Sequence, residues 1–474
     1  MERTIAHQPL TTKSFPPNIF SPNLPLQLSI LQAMAAVEVT KPAADSFVVQ
    51  IDQPPSPPTI YRVPHDLRKL NESAYTPRLV SIGPLHCEDE RLMNSRVNKT
   101  KENYCLKSLI RRSAKSDDDE AVLENLEREY REKMEKSVED SVEEAKRYYE
   151  DDKAKALVDS KMLLADACFV LELLYRRHEM VSVRKIPELG IDCVRAYRTV
   201  QRDLLLLENQ LPFFVLEKLF HLTKTEAGAG GSSLIGCILA FFGDLLITKP
   251  GGDDKNTIKN PCHILHLLHV HYLPAGELKA EPRCQFLQSA LDLDYAGVRF
   301  ESNKARSPFQ VKFEPPSGIK RWWFCSASFK IPALHVDDST EMILRNLIAF
   351  EQCCSDVQSY VTSYAFVMDR LINTAKDVAV LQKAGIICNY LGSHNDASDL
   401  FNKLFSEVAI GDFYFAKTCK EAHEYSSRRW PKAVASLKRN NFATPWGYVA
   451  FGVAFVLFFS SLITSIRNLR DLSK

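Results

Sequence analysis

Apolar residues recur at steps of three and four through most of the chain beyond residue 90, the spacing of one face of a helix. The pattern predicts a helix over residues 93–112. From 115 to 155 a narrow stripe of Leu123, Leu126, Tyr130, Met134, Val138, Val142, Ala145 and Tyr149 follows an otherwise charged helix. Two readings of that stripe stand: a coiled-coil or partner-binding face, or a surface helix packed on its own domain. Its small and aromatic members favour the second. KMLLADACFVLELLYRRH (161–178) is apolar nearly all round and predicts a buried helix. RDLLLLENQLPFFVLEKLF (202–220) predicts another, with Pro212 either kinking it or opening a new helix. STEMILRNLIAFEQCC reads as a helix capped by Ser339 or Thr340, and further helices follow from Tyr360 until Gly385.

Two stretches depart from this period. Between 295 and 337, GVRFES, FQVKFEP and WWFCSASFKI alternate and are rich in Val, Phe and Trp, which predicts a small antiparallel sheet. Residues 442–466 carry no charge, and 446–466 would make about 31 Å of helix, matching a hydrocarbon layer of about 30 Å. This predicts a single-pass transmembrane helix, with Trp446 and Tyr448 as interfacial anchors. Arg428, Arg429, Lys432, Lys438 and Arg439 precede it, against Arg467, Arg470 and Lys474 after it. That balance places the N-terminal domain in the cytosol, with the opposite topology as the alternative. The expected fold is therefore mainly α. A Pro-rich disordered segment (1–59) precedes a multi-helix globular domain (60–440) with a small antiparallel β insert near 295–337. A transmembrane helix (441–466) and a short tail (467–474) complete the chain. Membrane localisation and a lipid bilayer partner follow from the same run.

Composition changes the picture only at the edges. Of 25 prolines, 13 precede Leu85, which marks off the N-terminal segment. That segment has no acid between Glu2 and Glu38, and either Met1 or Met34 could be the start. With 60 Lys+Arg against 59 Asp+Glu, the chain has no basic field that would favour nucleic acid. Residues 115–155 hold 16 acids and 9 bases. The 12 cysteines form no C-x-x-C pair and read as reduced, buried thiols. Asn71-Glu-Ser and Asn98-Lys-Thr are glycosylation sequons that matter only in the opposite topology.

Candidate chemistry is sparse. Asp166 interrupts a buried apolar helix, and a lone buried carboxylate needs a partner such as an Arg or a helix N-terminus. Glu208, Asn209 and Gln210 make a polar island that would hydrogen-bond a kinked backbone. Cys262, His263, His266, His269 and His271 fall within ten residues, but on a helix at most two or three could face one metal. The glycine-rich stretch at 228–236 fits neither a dinucleotide fingerprint nor a P-loop, and no G-x-S-x-G or H-E-x-x-H occurs. No catalytic, cofactor or metal residue is nominated. An enzyme or metal-binding alternative would centre on Asp166, Glu208 or the His263 to His271 cluster.

The order IYRVPHDLR, AYTPRLVSIGPLHC, KMLLADACFVLELL, DLLLLENQLPFFVLEKLF, YAGVRF, ILRNLIAFEQC, SYAFVMDRLINTAKDVAVL, LFNKLF and NFATPWGYVAFG resembles the plant family called domain of unknown function two hundred and forty-seven. The resemblance implies a plant source and a mainly helical domain with a C-terminal membrane span, and brings no catalytic residues. It also implies roles that differ within the family, among them self-incompatibility recognition and stress or defence. Cys87 stands where a second His often follows His86. The expected function is a membrane-anchored, non-enzymatic interaction or recognition protein with an unknown protein partner.

Overall fold

The computed structural model describes residues 58–113, 120–179, 186–223, 233–243, 245, 247, 260–274, 279–281, 287–303, 305, 307–316, 327–428 and 445–471. The Pro-rich segment up to 57, the glycine-rich stretch around 228–231 and the Trp-Trp pair at 322–323 lie outside them.

Helices dominate, as the 3.6-residue period predicts. α1 (Arg96–Ser113) and α2 (Glu120–Glu139) pack with α3 (Ser160–Glu179), against which α5 (Phe213–Thr223) and α6 (Leu234–Phe242) also lie. The reason is the sequence of α3: from Leu163 to Tyr175 every side chain but those of Asp166 and Glu172 is apolar, and nearly all are buried. A fully buried Leu or Phe stabilises by about 1.5–3 kcal/mol, so a helix with no polar face must be covered on all sides. α4 (Val194–Asp203) leads into the irregular loop 204–212, and Pro212 then precedes α5, so the proline opens a new helix rather than kinking one.

A second group follows: α7 (Ile264–Tyr272), α8 (Thr340–Cys353), α9 (Tyr360–Leu371), α10 (Ala375–Lys383), α11 (His394–Leu404) and α12 (Ala416–Ser426). α8 touches α7, α9 and α11, and α10 packs on α11. Side chains set these starts. Thr374 and Asp377 form a reciprocal capping box on α10, and Ser393 accepts from Asp396 N at the start of α11.

The charged helix is shorter than its stripe. α2 ends at Glu139, a turn intervenes, and a short helix Val142–Lys146 follows. Met134, Val138, Ala145 and Tyr149 are fully buried and Tyr130 packs against the core, so this part of the stripe faces the chain's own body. Residues 115–119 and the side chains of Leu123 and Leu126 lie outside the description.

The β region differs from its expectation in strand direction. β1 (Arg299–Asn303), β2 (Lys312–Glu314) and β3 (Ser328–Pro332) form a sheet in the order β1-β3-β2. β1 runs parallel to β3, with Phe300 opposite Phe329, while β2 is antiparallel, with Phe313 opposite Phe329. β4 (Leu334–Val336) pairs parallel with β5 (Ile387–Asn389), which lies beyond the predicted insert. The sheets are thus mixed and parallel, not antiparallel. Alternation fixes which side chains share a face and is silent on direction, which the connections decide.

The second correction concerns the C-terminus. A helix, α13 (Pro445–Asp471), forms where the apolar run predicts one, but among the described residues no helix is long and apolar enough to cross a membrane. The side chains described in α13 include those of residues 452–465. Within them Ser460 and Thr464 turn their hydroxyls back onto the carbonyls of Leu457 and Ser460. The single-pass helix expected at 441–466 and the membrane localisation drawn from it therefore do not stand.

Candidate functional site

Asp166, Glu208 and Asn209, which the sequence singles out, converge from distant positions on one largely irregular segment, 58–86. Its core is a run of six amides. Arg78 N, Leu79 N and Val80 N all donate to the Asp203 carboxylate, at 3.0, 2.7 and 3.1 Å. Ser81 N donates to Asn98 Oδ1 at 3.2 Å, Ile82 N to Asn209 Oδ1 at 2.7 Å and Gly83 N to Asp166 Oδ2 at 2.7 Å. Pro77 and Pro84, which have no amide, bracket the run. The segment belongs to no sheet, so side chains satisfy the backbone donors that a ladder would otherwise take.

Each acceptor is positioned by its own element. Asp166 projects from α3, and its other oxygen meets Lys101 Nζ of α1 at 2.5 Å, while the same ammonium donates to Ser81 O at 2.8 Å. The partners of Asp166 are thus a lysine 65 residues away and a loop amide. Asn209 and Gln210 hold the loop after α4. Asn209 Nδ2 donates to Asp203 O and Val80 O, and Gln210 Nε2 donates to Leu204 O and Leu206 O.

Glu208, the remaining member of the polar island, ties down the start of the segment. Its Oε1 accepts from Val63 N at 2.6 Å, and its Oε2 lies 2.6 Å from Arg68 Nη2 and 2.9 Å from His86 Nε2. Burial raises the carboxyl, but His86, Arg68 and the Val63 amide outweigh it and hold Glu208 below its ordinary value. Asp203 goes the other way. Burial dominates its three amides and the field of Arg78, and pushes the carboxyl up to about 6. Sequence reasoning missed Asp203 because nothing in RTVQRDLLLL separates it from a solvent-facing helix end.

The histidine cluster is divided among separate tasks. His263 caps α7: its Nδ1 accepts from His266 N, which leaves Nε2 to donate to Thr59 O at 3.1 Å. His266 Nδ1 accepts from Cys262 N. His269 Nε2 lies 2.6 Å from Glu351 Oε1, and that buried carboxylate also accepts from Val361 N and Thr362 N at the start of α9. Burial, with neighbouring imidazoles adding to it, lowers His263 well below its ordinary value and His266 to about 4. Among the described residues no group of three or more His, Cys, Asp or Glu could hold a metal ion. The ten cysteines described are free thiols.

A shallow groove of about 500 Å³ lies elsewhere, lined by Asn94, Arg96, Lys99, Thr100, Tyr104 and Glu188. It contains none of the residues nominated from sequence. The sequons are engaged in the fold. Asn98 is buried, with Oδ1 on Ser81 N and Nδ2 donating to Leu92 O, and Asn71 Nδ2 donates to Glu341 Oε1.

Comparison with known proteins places this geometry in context. A family model described as a plant protein of unknown function, DUF247, matches residues 60–460. The UPF0481 protein At3g47200 of Arabidopsis thaliana is 26% identical over 442 residues, covering 87% of each chain. The putative UPF0481 protein At3g02645 of the same plant is 23% identical over 486 residues, covering 84% of this chain and 88% of its own. No solved structure matches.

Proposed function

The chain belongs to the DUF247 family of plant proteins of unknown function, and from that premise we propose that it is a non-enzymatic interaction protein. The observation that carries this reading is the surface of α13. Nine large apolar side chains between Val449 and Ile463 are exposed, among them Val456 at 66%, Phe458 at 64% and Leu457 at 63%. Contiguous apolar surface of this kind is unfavourable in water and marks a place of association. The partner is a protein that offers an apolar groove to the helix. The body supports the same reading. Asp166, Glu208, His263 and His269, the groups from which an enzyme would be built, are buried and bonded to backbone amides, backbone carbonyls and charged partners. Recognition or stress signalling would be the biological form of such an activity.

The test is proximity labelling in plant cells with the full-length chain and its Leu457→Asn, Phe458→Asn double variant. Proteins labelled by the wild type and lost with the variant are the expected result. An unchanged set of labelled proteins would overturn the proposal. So would binding to protein-free lipid vesicles with the same sensitivity to the two substitutions.

A further inference from the structure

The exposed apolar side chains of α13 follow an order that a second copy of the same helix can match. Val449, Val456 and Ile463 recur at steps of seven, and Gly452 and Phe459 fall three residues after the first two. All five are exposed, the four large ones by 44–66%. Apolar residues at alternating steps of three and four form the a and d seam along which two helices wind. Of the seven registers that can be laid on residues 446–466, five bring Ser460, Ser461 or Ser465 into the seam. One of the other two lines up Gly452, Phe455, Phe459 and Leu462. The remaining one is the Val449 register, and only it places β-branched residues at every a position, the choice that favours two parallel strands.

Charge and area agree with that pairing. Identical helices side by side set each residue near its own copy, so a charge in the seam would face its own kind, and residues 442–466 carry none. In this register seven of the nine large exposed side chains of α13, all but Leu457 and Phe458, occupy the seam or flank it. At about 170 Å² for a free side chain of this size, half exposed, the seven offer on the order of 600 Å² per copy. Two copies together reach about 1,200 Å², the lower bound of specific, stable interfaces.

We propose that α13 is a homodimerisation helix, two copies of the chain winding in parallel along Val449, Gly452, Val456, Phe459 and Ile463. Resting on the reading of α13 as a place of association, this assignment divides the helix surface between two tasks. The seam closes against the second copy. Leu457 and Phe458, on the outer side of the pair, remain for the apolar groove of the other protein.

Sedimentation equilibrium of the full-length chain at micromolar concentration tests this. The wild type is expected at twice the chain mass. Val456→Glu with Ile463→Glu sets like charges face to face in the seam and should raise the dissociation constant by about a hundred-fold or more, leaving monomer. The Leu457→Asn, Phe458→Asn variant lies off the seam and should remain a dimer. A monomeric wild type, an assembly larger than a dimer, a dimer that survives the glutamates, or one lost equally in the outer variant would each overturn the proposal. Should the glutamates melt α13, seen as lost helical ellipticity, Val456→Ala with Ile463→Ala keeps helix propensity and replaces them. That pair should weaken the dimer by about ten-fold or more, and an unchanged constant would overturn the proposal. The two readings of α13 fail separately. If the outer variant stays dimeric and still labels the same proteins, the groove-bearing partner is lost and the dimer stands. If the wild type is monomeric and its labelling still depends on Leu457 and Phe458, the dimer is lost and the partner stands.

Discussion

Lys101 and Asp166 are both buried, and each is tolerable only because the other is present. Taking one charge out of water costs several kcal/mol, and the pair recovers it through a 2.5 Å contact plus bonds to Ser81 O and Gly83 N. Lys101→Met removes the cation and leaves the carboxylate uncompensated, so it should lower the unfolding free energy by about 3–5 kcal/mol in urea titrations. Among the groups that shape the acid limb of stability, Asp203 and His266 act in opposite directions. Asp203 has a folded value near 6 against 3.8 unfolded, so the fold gains as pH falls through 6 toward 4, by about 3 kcal/mol. His266 has a folded value near 4 against 6.5, so the unfolded chain takes up protons first and stability falls through the same window, by a comparable amount. Urea midpoints at pH 7, 5.5 and 4.5 should therefore drop more steeply on acidification in Asp203→Asn than in the wild type, and less steeply in His266→Asn. These residues show how far a site is legible. Asp166 declares its need for a partner, because a carboxylate inside LLADACFVLELL has no solvated face. Lys101 is hidden by distance along the chain, and Asp203 by a helix end that looks exposed in sequence.

Elements were readable where an apolar period runs unbroken over a long stretch. α3 and α8 match their sequence patterns because an apolar face must be covered, whereas direction in β1 to β3 depends on connections that alternation does not encode. The stripe around α2 was ambiguous for a related reason: a buried face looks the same whether its cover is the same chain or another, and here the core of the body covers it. Segment 78–86 depends on one backbone position. Gly83 has φ +71°, and a Cβ there would come within 2.7 Å of Gln210 O, a backbone atom that cannot swing aside. Gly83→Ala should therefore cost about 1–3 kcal/mol, read as a lower thermal midpoint, since the left-handed conformation and the collision add. Asn98 makes a separate point about motifs. Its Oδ1 accepts from Ser81 N and its Nδ2 donates to Leu92 O, so a glycan at this sequon would require segment 78–86 and α1 to part. In a glycosylating host the tryptic peptide carrying Asn98 should appear at its unmodified mass.

At the scale of the molecule, chain-distant contacts bind the described body together while one helix contributes little to its stability. Asn346 of α8 donates to Ala74 O and accepts from Leu207 N, His263 reaches Thr59 O, and Glu208 reaches Val63 N, so the first described segment is tied to three later regions. Such long-range ties favour unfolding of the helical body as one cooperative unit. α13 stands apart from this logic. Its apolar side chains are exposed by 43–66%, so little of their surface is withdrawn from water by folding. Replacing buried Leu171 by Ala should cost about 2–5 kcal/mol, because a cavity is left where α3 is covered. Replacing Leu457 by Asn should change the unfolding free energy by less than about 0.5 kcal/mol, because water already surrounds it. The contrast is measurable in one set of denaturation curves on full-length variants. A Leu457→Asn penalty as large as that of Leu171→Ala would mean that α13 is docked on the body, and its exposed surface could not then be the place of association.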